Sequence, residues 1–132
     1  MIKPLYFLLF VGAALLGMMA CSSKPKEQYP NLTADEFEQL LQDEDIQLLD
    51  VRTLAEYTEG HLPHSLNINV LDDHFMADCE QTLDKERPVA VYCKSGRRSR
   101  KAASLLVKKG YTVYNLDKGI LGWKEAGKPV EE

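Results

Sequence analysis

Short apolar runs alternate with amphipathic stretches from Asn31 onward. Thr33-Ala34-Asp35-Glu36 has the spacing of a capping box, with Leu32 placed to staple onto Phe37. Phe37, Leu40 and Leu41 then share one helical face. Residues 46–51 form an apolar run short enough for a buried strand. Thr53-Leu54-Ala55-Glu56 is a second capping box, opening a short helix that stops at Gly60. Residues 66–70 alternate apolar and polar, as a strand does. Asp72 or Asp73 is placed to cap a helix running through Phe75, Met76 and Cys79 and ending before Arg87-Pro88. Val89–Tyr92 is the next strand. A helix expected from Ser99 turns Ala102, Ala103, Leu105 and Leu106 inward, and Gly110 suits its C-terminal cap. Residues 112–116 are a strand, and a last short helix carries Ile120, Leu121 and Trp123 and ends at Gly127.

Strands of this length separated by helices imply right-handed crossovers and a mainly parallel sheet covered on both faces. The predicted fold is therefore α/β, a three-layer α/β/α domain over residues 31–132. In such a sheet the loops after Asp50-Val51-Arg52, after Tyr92 and after Leu116 lie on one edge, where ligands bind.

The segment before this domain has a different pattern. Lys3 precedes an apolar stretch from Leu5 to Gly17, and small or soft residues lead to Cys21. A short positive region, an apolar core and a small-residue cleavage site make an export signal over residues 1–20. The run ends at Ala20, slightly short of the roughly 20 residues that span a bilayer. Residues 21–30 are polar, contain Pro25 and Pro30, and read as a tether. The placement of Cys21 resembles a bacterial lipoprotein signal, which implies cleavage before Cys21 and lipid on its sulfur. Met18 stands where leucine is more usual, and Ser22 resembles the choice made by lipoproteins of the outer membrane. The implied location is a bacterial membrane, facing the periplasm.

Composition adds limits. The chain is 45% hydrophobic and 27% charged with a formal net charge of -4, which argues against general nucleic-acid binding. Against that acidic background Lys94, Arg97, Arg98, Arg100 and Lys101 cluster. His61, His64 and His74 have no paired spacing with cysteines, so no metal is assigned.

The basic cluster begins at Cys93, at the end of a strand and the start of a helix. A helix N-terminus favours an anion such as a thiolate or a bound oxyanion, which makes Cys93 the candidate nucleophile. Cys93 to Arg98 reads as a cradle of backbone amides in which Gly96 permits an otherwise disfavoured angle.

Leu49-Asp50-Val51-Arg52, Glu56-Tyr57, Gly60-His61-Leu62-Pro63, Val91-Tyr92-Cys93-Lys94-Ser95-Gly96-Arg97-Arg98-Ser99 and Gly119-Ile120-Leu121-Gly122-Trp123 together resemble a rhodanese domain, in the family's order and spacing. The resemblance covers about residues 32–130. It departs at His64-Ser65, where the family usually has Gly-Ala, and at Lys118-Gly119, where two glycines are common. It implies sulfur transfer without a cofactor. Cys93 would take sulfane sulfur from a small anionic donor such as thiosulfate and pass it to a thiol or cyanide, a periplasmic thiol protein among the possible acceptors. Lys94, Ser95, Gly96, Arg97, Arg98 and Ser99 would bind the donor and the transferred sulfur, with Ser95 offering its hydroxyl to the sulfur. Asp50, Arg52 and His61 are expected to fix the loops of the active edge. Trp123 reads as core. Cys79 reads as core too, with a resolving thiol as the alternative.

Two other functions fit parts of the pattern. A phosphatase or arsenate reductase also binds an oxyanion in a cysteine–arginine loop, but with one residue more than the residues 94–97 that separate Cys93 from Arg98 here. A non-catalytic module would carry sulfane sulfur or dock a partner.

Overall fold

The computed structural model describes residues 28–132; the expected export signal, Cys21 and the first part of the tether lie outside these residues. A five-stranded sheet forms the middle layer: β1 (Asn31–Leu32), β2 (Gln47–Asp50), β3 (Leu66–Asn67), β4 (Val89–Tyr92) and β5 (Val113–Leu116), in the order β1-β5-β4-β2-β3. All pairings are parallel, with Leu49 opposite Val91 and Val91 opposite Asn115 at the centre. The helices are α1 (Ala34–Leu40), α2 (Leu54–Glu59), α3 (Phe75–Thr82), α4 (Arg97–Lys108) and α5 (Gly119–Glu125).

Strand side chains alternate between two cores. Leu49, Val51, Val89, Val91 and Val113 pack with Phe75 and Cys79 of α3 and Ala102, Ala103 and Leu106 of α4. Leu48, Ala90, Tyr92 and Leu116 face the other way, against Phe37 of α1 and Ile120 and Trp123 of α5. The layering is α/β/α, as expected from strands apolar on both faces. Phe37 meets Trp123 edge to face, with ring centroids 6.2 Å apart.

Both capping boxes form. Thr33 accepts from the Glu36 amide while Glu36 accepts from the Thr33 amide, and Thr53 and Glu56 do the same for α2. α2 buries nothing and lies at the rim of the active edge.

The helix starts at α3 and α4 differ from expectation. Neither Asp72 nor Asp73 caps α3; His74 occupies the N-cap without a side-chain bond to the helix amides, its ring pairing with Asp78 instead, and the Phe75 amide donates to the Asp72 carbonyl. Burial of Phe75 and Cys79 sets that helix, and its acidic neighbours stay exposed. α4 begins at Arg97, ahead of Ser99, because Gly96 turns left-handed at φ 103° and starts the helix directly. The Ser99 hydroxyl then donates to the Gly96 carbonyl from inside the first turn. β3 is shorter than the expected 66–70, although the Ile68 and Val70 amides still reach the Asp50 and Val51 carbonyls. Tyr29, expected in the tether, is buried, and the Pro30 carbonyl accepts from Asn115.

Candidate active site

β4 delivers Cys93 to the C-terminal edge of the sheet, and α4 leaves it after Gly96. Cys93 is 1% exposed. Its Sγ accepts a hydrogen bond from the Gly96 amide at 3.1 Å. A Cβ on Gly96 would run into the Asp117 carbonyl, so both the backbone angle and the space exclude other residues.

The first turn of α5 closes the loop from behind. The Ile120 amide donates to the Cys93 carbonyl at 2.9 Å and the Leu121 amide to the Lys94 carbonyl at 3.1 Å. Gly119, at φ 60°, makes this approach possible, since a Cβ there would collide with both carbonyls. With the carbonyls drawn toward α5, the Gly96 amide is free to turn to the sulfur.

The rhodanese-like domain model matches residues 33–126, which include the whole of this site. The chain belongs to the rhodanese family. It is 36% identical over 94 residues to a sulfurtransferase of Allochromatium vinosum, covering 70% of this chain and 85% of that one. It is 30% identical over 100 residues to the thiosulfate sulfurtransferase GlpE of Shewanella oneidensis, covering 74% and 95%. Among solved structures, a rhodanese-related protein from Thermoplasma volcanium superposes with a TM-score of 0.69 at 27% identity, covering 78% of this chain and 98% of that one.

In this rhodanese domain the loop's cations are not equivalent. Lys94 and Arg97 are exposed at the rim. Arg98, expected to bind the donor, gives both terminal nitrogens to Glu56, at 2.8 and 2.9 Å. The carboxylate of Glu56 also accepts from the amide and hydroxyl of Thr53. The Arg98 hydrogen bonds dominate, outweigh the opposing effect of burial and, with help from Thr53, hold the Glu56 carboxyl down at about 2. Glu56 is the site residue that sequence reasoning missed. Its capping spacing was visible, but its second partner lies 42 residues away. The Ser95 side chain is exposed, and the hydrogen bond to the sulfur comes from the Gly96 backbone instead.

The residues expected to fix the edge are bonded within it. Asp50, fully buried, accepts from Arg52 through Nε at 3.0 and 3.1 Å, Nη2 at 2.7 Å and the backbone amide at 2.9 Å. The other bond of Arg52 Nη2 goes to the Gly60 carbonyl. Burial works to lower the Arg52 pKa, but the hydrogen bonds and charge of Asp50 together raise it. The Arg52 guanidinium lies 5.7 Å from the centre of the Tyr92 ring. His61 Nδ1 donates to the Tyr57 carbonyl at 2.8 Å, and its ring stacks on Tyr57 with centroids 3.8 Å apart. That is a turn histidine with its ring nitrogen occupied.

Cys79 is a free thiol with no exposed surface, and burial, reinforced by Asp78 and Glu80, pushes it up to about 12. It has the environment of a core residue and not of a resolving thiol. A cleft of about 240 Å³ opens beside the Cys93 loop, between Arg52, Glu56, Lys94, Leu121 and Lys124. A second cleft, about 280 Å³ between Leu41, Leu48, Trp123 and Pro129, shares no residue with the loop.

Proposed function

We propose that this rhodanese is a sulfurtransferase that carries sulfane sulfur on Cys93. The carrying observation is the Cys93 sulfur at the start of α4 with the Gly96 amide nitrogen 3.1 Å away and donating to it. Sulfurtransferase relatives at 30–36% identity support the same reading. The Cys93 thiolate attacks the outer sulfur of a donor such as thiosulfate. A new S–S bond forms, the donor's S–S bond breaks, and sulfite leaves with the electron pair. The terminal sulfur of the resulting persulfide is then taken by an acceptor, a thiol or cyanide, which returns Cys93 as thiolate. Two half-reactions on one nucleophile require ping-pong kinetics. The chemistry needs no cofactor.

The oxyanion-enzyme alternative is disfavoured because the loop's inner arginine is committed to Glu56. A tetrahedral phosphate would need that fork for itself.

The proposal extends to place. The pattern over residues 1–20 supports export, with Cys21 lipidated and the domain held at a bacterial membrane, facing periplasmic thiol acceptors. Among the described residues no helix is long and apolar enough to cross a membrane.

Intact-mass spectrometry after incubation with thiosulfate, beside Cys93→Ser, tests the chemistry. A gain of about 32 Da, removed by cyanide and missing in Cys93→Ser, supports it. No gain with turnover of a phosphate ester or arsenate would favour the oxyanion enzyme, and no gain with no turnover a non-catalytic module.

A further inference from the structure

Of the guanidinium groups at the active edge, two are each held by hydrogen bonds to a carboxylate. Arg52 is bound to Asp50, and Arg98 to Glu56. Arg98 stands in the first turn of α4, two residues after the Gly96 amide that meets the Cys93 sulfur. Its pairing with Glu56 therefore offsets positive charge that this first turn would otherwise present beside the loop. Lys94 and Arg97, which have no salt-bridge partner among the described residues, are exposed at the rim and stay hydrated.

Glu56 cannot swing away cheaply. Its Oε1 accepts from the Thr53 amide at 3.1 Å, from the Thr53 hydroxyl at 3.0 Å and from Arg98 at 2.8 Å. Turning from Arg98 would also undo the cap of α2.

We propose that Glu56 sets the charge of the sulfur donor: by occupying the Arg98 fork it leaves the inner wall of the site neutral and favours a singly charged organic sulfane over dianionic thiosulfate. This rests on the sulfurtransferase reading above. A dianion brought to the sulfur must shed water, and only paired donors compensate for that loss. Arginine is the side chain suited to the task, but its fork is already filled. A thiosulfonate, R–SO2–S⁻, presents one charge less. The Cys93 thiolate attacks its sulfane sulfur, the new S–S bond forms, the bond to the sulfonyl sulfur breaks, and the sulfinate R–SO2⁻ leaves with the electron pair. The bond broken matches that in thiosulfate, so comparing the two donors isolates charge.

The test measures kcat and KM of the full chain with thiosulfate and with methanethiosulfonate, cyanide as acceptor, for wild type, Glu56→Gln and Glu56→Asp. Glutamine can still close the capping box, so the substitution removes charge while leaving the cap in place. Wild type should show kcat/KM about tenfold higher for the thiosulfonate. In Glu56→Gln the KM for thiosulfate should fall about tenfold relative to the KM for the thiosulfonate and rise steeply with salt. Glu56→Asp, which keeps the charge, should keep the wild-type donor ratio. Equal changes for both donors in Glu56→Gln, a shifted ratio in Glu56→Asp, or a wild type that prefers thiosulfate overturns the proposal. Sulfur transfer from neither donor by wild type overturns the sulfurtransferase reading itself, and the proposal with it.

Discussion

The Gly96 amide donates to the Cys93 sulfur across 3.1 Å, from a residue held at φ 103°. The left-handed turn both aims the amide and starts α4. Gly96→Ala would add the left-handed penalty of about 1–2 kcal/mol and a collision with the Asp117 carbonyl. The expected result is a clear loss of thermal stability together with loss of sulfur loading on Cys93. A variant that melts normally and loads sulfur at the wild-type rate would refute this account of the loop.

The two departures from the family's glycine pattern have different physical costs. His64 sits at φ 70°, a left-handed angle that non-glycine residues rarely adopt, whereas Lys118 sits at φ −105°. His64→Gly should raise stability by about 1 kcal/mol, and Lys118→Gly should not raise it. Chemical denaturation of the three proteins side by side decides the matter.

Removing one partner of the Asp50–Arg52 pair should do more harm than the pair does good. Asp50→Asn leaves the Arg52 guanidinium buried without a counter-charge, at a cost of about 3 kcal/mol. The same change loosens the Gly60 turn, since Arg52 also bonds its carbonyl. A urea midpoint unmoved by Asp50→Asn would contradict the buried-pair account.

Acid should expose the Glu56–Arg98 pair. The Glu56 carboxyl is depressed to about 2 from an ordinary 4.5, first by Arg98. A depressed folded-state pKa stabilises above the unfolded value and is lost as pH falls through the folded one. The stability difference between wild type and Glu56→Gln should therefore be flat above about pH 5 and shrink as pH falls toward 2. Melting temperatures taken across that range test the sign; a difference that grows on acidification would reverse it.

The export reading predicts a labelling result. Cys21→Ser should abolish incorporation of fatty acid and move the protein out of the bacterial membrane fraction. Persistence of both label and membrane association in Cys21→Ser would discard Cys21 as the lipid site.

Much of the fold was legible because its signals are local. A capping box needs residues three apart, so Thr33–Glu36 and Thr53–Glu56 could be read directly and the helices start there. Buried parallel strands are apolar on both faces, so β2, β4 and β5 were visible as runs. Cys93 was visible because a strand, a cysteine, a glycine and a basic helix start are contiguous. β1 could not be read this way: two residues long, it exists only because Asn31 and Leu32 find Asn115 and Leu116 beside them. Asp72 and Asp73 carried a capping signal that burial of Phe75 overrode.

The amino-acid order alone determined where the two capped helices begin, which cysteine stands between a strand end and a helix start, and that a basic loop follows it, since these depend on neighbours within a turn. Tertiary structure alone decided what the loop's charges do. Arg98 looks like a donor-binding cation until the crossover brings α2 beside α4 and Glu56 takes both its nitrogens. Gly119 looks like one more turn residue until α5 docks and its amides hold the Cys93 and Lys94 carbonyls. Such pairings depend on the closure of long loops, and their energies appear only once the sheet is assembled.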